Sequence, residues 1–225
     1  MIDSAVIKGI LFKLGADLCG IAPAHRFCAA PEGFHPRDIY KDCRTVVVFA
    51  KRAPEACMRS DSRVVYSHTT FSTFKELDRI CLNACIELDK MGVGAVMIPC
   101  DDPYEYWDEE KKHGKGILSL KHAGELAGLG VIGRNTLLVN KNLGNFMYLS
   151  ALLINEESDY DAVVNDNYCN SCRRCITSCP VQAMDGITVD QAKCRSHVMT
   201  TTSKGFYVYN CNSCRTLCPN AAGLK

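Results

Sequence analysis

Cys169-Asn-Ser-Cys172-Arg-Arg-Cys175-Ile-Thr-Ser-Cys179-Pro180 is the stretch of sequence that decides how this protein is organised. Its cysteines follow the spacing C-x2-C-x2-C-x3-C-P, the bacterial ferredoxin pattern for ligands of 4Fe-4S clusters. Three cysteines with two residues between each neighbouring pair can bind one cluster through their thiolates. The fourth cysteine, next to the proline turn, faces a second cluster. The motif therefore predicts another group of cysteines elsewhere in the chain.

That second group follows further along the sequence. Cys194 stands alone, and Cys211-Asn-Ser-Cys214-Arg-Thr-Leu-Cys218-Pro219 supplies three more thiolates with a second Cys-Pro ending. If the fourth ligand of each motif crosses to the other cluster, all eight cysteines are used. The pattern thus predicts two 4Fe-4S clusters. The ligand sets are Cys169, Cys172, Cys175 and Cys218 for one cluster, and Cys179, Cys194, Cys211 and Cys214 for the other.

Zinc and disulfides are the alternatives to iron. Two C-x2-C pairs can form a zinc ribbon, but zinc leaves four cysteines at ferredoxin offsets unused and does not explain two Cys-Pro endings. Disulfides suit exported proteins, and the N-terminal residues do not have the pattern of a secretory signal, so we expect a reducing cytoplasm. The other seven of the 15 cysteines are interpreted as small buried residues. These are Cys19, Cys28, Cys43, Cys57, Cys81, Cys85 and Cys100.

The whole chain has the size and composition expected of a soluble protein with two modules. Its 225 residues are 47% hydrophobic and 23% charged, and one packed domain of roughly 150 residues leaves room for a smaller one. The formal net charge of +1 gives no bulk attraction for nucleic acid. No apolar run approaches the roughly 18 residues of a membrane span, so we expect no membrane contact.

An acidic segment with little apolar content separates the two modules. Its acidic residues are Glu156, Glu157, Asp159, Asp161 and Asp166. This composition is typical of an exposed linker. We therefore place the first module at residues 1–158 and the second, which contains all eight motif cysteines, at residues 159–225.

Helical and strand patterns alternate along the first module. The predicted helices cover residues 4–15, with Ser4 as the cap, 71–91 and 119–127. The predicted strands cover residues 18–22, 45–50, 95–98, 136–140 and 146–155, and the last two flank a hairpin turn. The predicted fold class is α+β, with an α/β-type mixed sheet followed by a C-terminal two-cluster, ferredoxin-like module.

A glycine-rich motif precedes the linker, with the sequence Ala127-Gly-Leu-Gly-Val-Ile-Gly-Arg-Asn-Thr-Leu-Leu138. Its glycines allow close backbone approach, and the polar residues after them offer hydrogen-bond donors. The glycines formally fit G-x-G-x-x-G, but they follow a helix and precede a strand, the reverse of the dinucleotide-binding order. Since a cluster module joined to a larger domain implies an electron acceptor there, we predict a binding site near this motif.

The motif, followed by the eight cysteines, resembles epoxyqueuosine reductase and its relatives, which include corrinoid-dependent reductive dehalogenases. The resemblance covers roughly residues 95–219. It implies a nitroreductase-like domain that holds cobalamin beside a ferredoxin-like module whose clusters reduce the cobalt. It also implies an electron donor such as ferredoxin or flavodoxin. The residues that would bind the cofactor are Lys121, His122, Gly130, Gly133, Arg134, Asn135 and Thr136.

Two departures from the family bear on the reaction. Epoxyqueuosine reductases carry a C-terminal helical-repeat region that helps to engage tRNA, and without it we expect no tRNA role here. The family's aspartate proton donor falls at Gly114 when the motifs are aligned on Ala127, and glycine cannot donate a proton. The substitute proton donors in this sequence are Asp101, Asp102, Tyr104 and His113.

Three functions stay open at the level of sequence. The first is a cobalamin-dependent reductase that works under anaerobic conditions. The second is an electron-transfer or activation protein that reduces a docked partner, such as a corrinoid protein, and the missing acid favours it. The third is a flavin-dependent reductase, which rests on the implied fold alone.

Overall fold

The computed structural model describes residues 1–169 and 172–224, whereas Asn170, Ser171 and Lys225 lie outside the described part. A four-stranded sheet forms the centre of the first module, in the order β1-β2-β8-β3. These strands are β1 (Leu18–Pro23), β2 (Thr45–Arg52), β3 (Ala95–Ile98) and β8 (Met147–Ile154). Residues 45–50 are buried throughout, as expected for a continuous apolar strand that is covered on both faces.

Every neighbouring pair in this sheet is antiparallel, so the prediction of a mixed sheet is wrong. β2 and β3 do run in the same direction, since both are antiparallel to β8. However, β8 lies between them, and no parallel ladder forms. The alternation of helices and strands could not show that a strand from later in the chain inserts between two earlier ones.

Helices cover both faces of the sheet. α1 (Ser4–Leu14) and α4 (Arg63–Lys90) pack on one face, where Leu11, Leu77 and Phe49 are fully buried in one apolar cluster. α5 (Leu120–Leu126) and a 3-10 helix, Ala24–Phe27, pack on the other face. Two single-turn helices, α2 (Pro36–Ile39) and α3 (Glu55–Met58), lie in the connections. Nothing in residues 1–169 or 172–224 forms a helix long and apolar enough to cross a membrane.

The ends of α1 differ in part from the prediction. Gly15 ends the helix in a left-handed conformation with φ +110°, as expected. The cap is Asp3, not Ser4, because the Asp3 carboxylate accepts a hydrogen bond of 2.7 Å from the Ala5 amide. Both residue types cap helices well, and the sequence alone did not discriminate between them.

Helix α4 begins eight residues before the predicted start at residue 71, at Arg63. Ser62 caps it by accepting a hydrogen bond from the Val65 amide. The first turns are rich in β-branched and hydroxyl residues, which have low intrinsic helix propensity. In this helix the hydroxyls of Ser67 and Thr70 bond to carbonyls four residues earlier, so they are satisfied within it.

The predicted hairpin between residues 136–140 and 146–155 is also wrong. β7 (Leu138–Val139) pairs with β6 (Val131–Ile132), while β8 joins the central sheet. A bridge between Asn140 and Gly144 closes the turn that precedes β8. The turn was therefore predicted correctly, but the partner of the strand before it was not.

The cysteine-rich module is made of short elements. They are α6 (Arg174–Thr177), α7 (Gln191–Val198), β9 (Met199–Thr201), β10 (Tyr207–Tyr209) and α8 (Ser213–Thr216). A hairpin of the first module, β4 (Tyr106–Asp108) and β5 (His113–Lys115), reaches α7: the Gln191 side chain bonds both to the amide and to the carbonyl of Gly114. Near the C-terminus, the Ala221 carbonyl accepts hydrogen bonds from the amides of Asn145 and Phe146.

The predicted linker is mostly exposed, yet it is anchored at one residue. The Asp161 carboxylate accepts hydrogen bonds from Lys8 Nζ at 2.7 Å and from the Ile21 amide at 2.8 Å. Arg26 donates to the Asp161 carbonyl at 2.6 Å. We call residues 156–168 the strap, because Asp161 attaches this segment to the edge strand β1. The module boundary between residues 158 and 159 stays a prediction.

Candidate functional site

The structure groups the motif cysteines into two sets of four. In the first tetrad (Cys169, Cys172, Cys175 and Cys218), burial raises the pKa of Cys175, and the charges of the other three thiolates raise it further. Burial also raises the pKa of Cys218, against the effect of the Asn220 amide, and the charges of Cys169 and Cys172 add to the rise. Such mutual effects require thiolates at close quarters, and a bound cation would relieve their repulsion.

The second tetrad consists of Cys179, Cys194, Cys211 and Cys214. Burial raises the pKa of Cys194, and the charges of Cys179 and Cys211 raise it further. Burial raises the pKa of Cys214 to about 11; Arg215 opposes this, and the other three thiolates of the set contribute to it. These are the same two sets that the crossed pattern predicted, although their role as ligands stays a prediction.

A cavity of about 150 Å³ lies among the cysteines of the first tetrad. All four cysteines line it, together with Arg134, Asn135, Val139, Tyr168, Arg173, Pro219 and Asn220. The Asn220 side chain donates to the Tyr168 carbonyl at 2.7 Å and so ties the two walls together. The first tetrad therefore surrounds a preformed space.

Backbone amides point at a sulfur of each tetrad. The Arg134 amide lies 3.3 Å from Cys169 Sγ, and the Ala183 amide lies 3.2 Å from Cys179 Sγ. N–H groups directed at cysteine sulfurs stabilise the thiolate form and are one of the factors that set the potential of an iron-sulfur cluster.

The arrangement differs from that of a single-ion site. In the part of the chain that the structure describes, no three or more His, Cys, Asp or Glu side chains are placed to hold one metal ion. A zinc site draws its ligands to within about 2.3 Å of one point. Each thiolate of a 4Fe-4S site binds its own iron atom, so the four sulfurs surround a larger body and need not converge.

The glycine-rich motif packs against the tetrads. A Cβ atom on Gly130 would meet the Val139 carbonyl oxygen at 2.2 Å, so this glycine permits close contact between β6 and the segment after β7. The Asn135 side chain donates to the Cys214 carbonyl at 3.1 Å. Thr136 is buried, has a positive φ of 59° and completes a turn with Gly133. The polar residues of the motif thus support the cysteine loops, and a role in binding a further cofactor stays a prediction.

A cavity with a volume of about 720 Å³ lies in the first module. Its walls are mostly apolar, with a few polar residues. The lining residues are Arg26, Phe27, Ala29, Ala30, Pro31, Phe34, Gly114, Lys115, Gly116, Leu118, Ser119, His122, Glu125 and Leu126. A cavity of this size and lining is typical of a ligand site.

Of the residues predicted to bind a cofactor, His122 lines this cavity. The Ser119 hydroxyl is 2.7 Å from His122 Nδ1 in a hydrogen bond. Burial lowers the pKa of His122, and the adjacent Lys121 lowers it further, so the imidazole is neutral at pH 7. Burial also lowers the pKa of Lys121. A neutral imidazole can accept or donate a hydrogen bond, or bind a metal.

Two of the candidate proton donors lie in one network. Tyr104 donates to the Asp101 carboxylate at 3.2 Å, and Arg195 donates to the Tyr104 hydroxyl at 3.3 Å. Burial, and then the charge of Asp102, raises the pKa of Asp101 to about 6. Asp102 itself is exposed, and His113 lies in β5 opposite Asp108.

Gly114 lies between this network and the large cavity. It lines the cavity, and a Cβ atom on it would meet Trp107 and Tyr104 at 3.2 Å and Arg195 at 3.3 Å. The Arg195 guanidinium stacks over both aromatic rings, 5.1 Å from the centroid of Tyr104 and 4.8 Å from that of Trp107. The side chains of Tyr104, Trp107 and Arg195 therefore occupy the space next to the position where a side chain at residue 114 would begin.

Two arginines of the site were missed at the sequence level. Arg195 follows Cys194, and Arg215 follows Cys214. The Arg215 guanidinium is buried, donates to the carbonyls of Asn145 and Met147, and lies 4.7 Å from the Tyr148 ring centroid. An arginine directly after a motif cysteine is visible in the sequence, but the partners of Arg215 in a distant strand are not.

Known proteins resemble this chain in sequence and in fold. The chain is 33% identical to an epoxyqueuosine reductase from Cyclobacterium marinum over 104 residues, which are 41% of this chain and 34% of that protein. It is 31% identical to the Staphylococcus aureus enzyme over 122 residues, which are 49% of this chain and 31% of that protein. Over these segments the chain resembles epoxyqueuosine reductase. This confirms the resemblance predicted from the sequence, over about a third of the relatives' length, and no protein-family model matches the chain.

Solved structures share the fold. An epoxyqueuosine reductase from Streptococcus thermophilus superimposes with a TM-score of 0.67 at 19% identity, covering 97% of this chain and 66% of that one. A reductive dehalogenase, described as B12-dependent, gives 0.69 at 21% identity, covering 96% of this chain and 31% of that one. Another epoxyqueuosine reductase was solved with a tRNA stem loop, covering 95% of this chain and 64% of that one, with a TM-score of 0.65 at 19% identity. The α+β architecture is thus that of these reductases.

Proposed function

We propose that this protein is an iron-sulfur oxidoreductase in which two 4Fe-4S clusters pass single electrons to a corrinoid in the first module. The observation that carries the proposal is the grouping of eight cysteines into two tetrads, in the crossed sets of a two-cluster ferredoxin. The cavity within the first tetrad and the amides directed at Cys169 and Cys179 fit thiolate-bound clusters. Residues 159–225 would then form the ferredoxin-like module.

The large cavity of about 720 Å³ is where we place the corrinoid. Phe27, Phe34 and Leu118 supply apolar walls for a large ring system, while Lys115 supplies a cation for an anionic group such as the phosphate of a cobalamin tail. His122, neutral at pH 7, offers a hydrogen bond at the same cavity. When bound, the corrinoid would supply a strongly nucleophilic low-valent cobalt.

The residues of this chain would perform three tasks around these groups. The thiolates of the tetrads would hold the clusters. The Arg134 and Ala183 amides would stabilise the thiolates of Cys169 and Cys179. The apolar lining excludes water from the cavity. Asp101, whose pKa is raised to about 6 and which accepts a hydrogen bond from Tyr104, is a half-buried carboxyl group that would take up and release a proton at slightly acidic pH.

Anaerobic purification in the presence of cobalamin tests the proposal. We expect the protein to retain clusters and corrinoid together, with both visible in the absorption spectrum. Leu118→Trp, which enlarges a side chain in the wall of the cavity, should weaken corrinoid retention and leave the iron content unchanged, whereas Leu82→Trp on the exposed face of α4 should change neither. Protein that keeps its clusters but never retains corrinoid contradicts this assignment of the cavity.

A second function is favoured by one observation, the residue at position 114. Glycine stands where the related enzymes would place a proton donor, and Tyr104, Trp107 and Arg195 close the space behind it. A protein without that acid can still transfer electrons to a docked partner, such as a corrinoid protein, without performing a substrate reaction itself. Capture of such a partner, followed by its reduction while the large cavity stays empty of cofactor, would support this second function over the first.

A further inference from the structure

The two tetrads differ in their exposure to solvent. Cys172 of the first tetrad is exposed, whereas no cysteine of the second tetrad is. In addition, Arg215, which follows Cys214 of the second tetrad, is buried against β8 of the first module. The first tetrad therefore offers an exposed cysteine to a partner, and the second tetrad does not.

Three arginines lie at the first tetrad or next to it in the chain, and we call them the arginine rim: Arg134, Arg173 and Arg174. Arg134 and Arg173 line the cavity of the first tetrad, and Arg174, the residue after Arg173, begins α6. Arg173 and Arg174 are exposed. Within residues 1–169 and 172–224, none of the three guanidinium groups forms an ion pair with a carboxylate or a hydrogen bond.

Among the residues that the structure describes, the arginine rim has no carboxylate partner, whereas other charged side chains do form ion pairs, as in Arg59–Glu55 and Arg79–Glu76. Three such guanidinium groups at the first tetrad or next to it in the chain give a local positive field, although the formal net charge of the chain is only +1. Such a field attracts an acidic surface and orients it as it approaches.

We propose that the arginine rim is the docking surface for an acidic electron-donor protein, so that electrons enter through the tetrad that contains Cys172. This inference rests on the proposed function, because it requires clusters on the cysteines. One electron leaves the donor, which is oxidised by one electron, and the first tetrad's cluster gains it; no bond is made or broken. The second tetrad would pass the electron on towards the large cavity, because Arg195, which follows Cys194, stacks on Tyr104 beside the cavity residue Gly114.

The same arginines could instead balance the negative charge of the first tetrad, or bind the phosphates of RNA. Charge balance acts on the cluster itself. Removing the arginine charges would then alter the cluster content and the rate at which a small uncharged reductant reduces the cluster. Docking acts only on a protein donor and weakens as salt screens the charges, since the Debye length falls to about 8 Å at physiological ionic strength. These differences allow one experiment to discriminate among the roles.

The test uses the full-length protein with its clusters and flavodoxin, a small acidic protein, as the probe. The variant Arg174→Glu is compared with a matched charge reversal elsewhere in the module, Lys204→Glu; both residues are exposed, and neither lines the cavity of the first tetrad. Calorimetry measures the binding of oxidised flavodoxin, and stopped-flow absorbance measures reduction by its hydroquinone and by photoreduced deazariboflavin.

We expect the arginine variant to bind flavodoxin at least about tenfold more weakly, and to be reduced by it correspondingly more slowly, at low ionic strength. The difference should shrink at high salt, while iron content and the deazariboflavin rate stay at wild-type values. The lysine variant should change by no more than about twofold.

If the arginine variant has intact clusters and an unchanged affinity for flavodoxin, the docking proposal is wrong, whereas the proposed function is unaffected. So would a variant that loses affinity for an RNA stem loop while it keeps its affinity for flavodoxin, or one with altered cluster content. Wild-type protein that binds no iron would overturn the proposed function together with this inference.

Discussion

At the scale of single residues, the half-buried carboxyl of Asp101 is the clearest source of pH dependence. Its pKa is raised to about 6, chiefly by burial, so the folded state binds a proton more tightly than the unfolded state does. For an acid with a raised pKa, stability is highest below about pH 4 and falls as the pH rises through 6.

Asp101→Asn should therefore stabilise the protein above pH 7, by roughly 1–3 kcal/mol, and have little effect below about pH 4. Asparagine can still accept the hydrogen bond from Tyr104. Urea denaturation across the pH range measures the effect, with Asp61→Asn on the surface as the control. A stability gain that does not change with pH would rule out the proposed titration.

A second prediction at this scale concerns the sharp difference between two glycines. Gly130→Ala should destabilise the fold by roughly 2 kcal/mol or more, because the new Cβ would meet a backbone carbonyl oxygen. Gly9→Ala is the control: it is exposed on α1 with no atom near its Cβ position and should stabilise the protein by up to about 1 kcal/mol. Equal effects of the two changes in thermal denaturation would contradict a packing role for Gly130.

At the scale of elements, the strap formed by residues 156–168 depends on Asp161. Asp161→Ala removes the ion pair with Lys8 and leaves the Ile21 amide without its acceptor. We expect a loss of about 1–3 kcal/mol, mostly from the amide. Asp159→Ala, exposed in the same segment, should cost less than about 0.5 kcal/mol in the same denaturation experiment.

The elements also show what the sequence could and could not predict. β1, β2 and β3 were found near their observed bounds, because short apolar runs next to Pro23, Arg52 and Gly94 are local signals. The antiparallel insertion of β8 is a pairing between segments about a hundred residues apart, and no local pattern encodes it. The start of α4 was missed because its first turns have weak helix propensity, which burial against the sheet overrides.

The candidate site shows the same division. The two cysteine sets were predicted because ligand spacing is a property of the chain itself. Asp101 and Tyr104 were predicted as separate candidates, and Arg195, which completes their network, was missed because it comes from the other module. Likewise, the motif at residues 127–138 was predicted to line a cofactor cavity, and only the folded chain places its Arg134 amide at a cysteine sulfur.

At the scale of the whole molecule, the two modules share enough contacts to unfold together. Residues 220–224 pack on the first module, where Ala221 is fully buried, and Trp107 of the β4–β5 hairpin contacts Arg195 of α7. We expect the far-UV circular dichroism signal and the fluorescence of Trp107, the single tryptophan, to change at the same denaturant concentration. Two separated midpoints would show that the modules unfold independently.

The central claim is that the eight cysteines hold two clusters in crossed sets. The most direct test is iron and sulfide analysis, with electron paramagnetic resonance of the reduced protein, on anaerobically purified wild type and two double variants. Wild type should contain about eight iron and eight sulfide. Cys172→Ala with Cys218→Ala should keep one cluster, because both residues belong to the first tetrad, whereas Cys214→Ala with Cys218→Ala should lose both. A colourless, zinc-containing wild type, or the same loss in both double variants, would contradict the account.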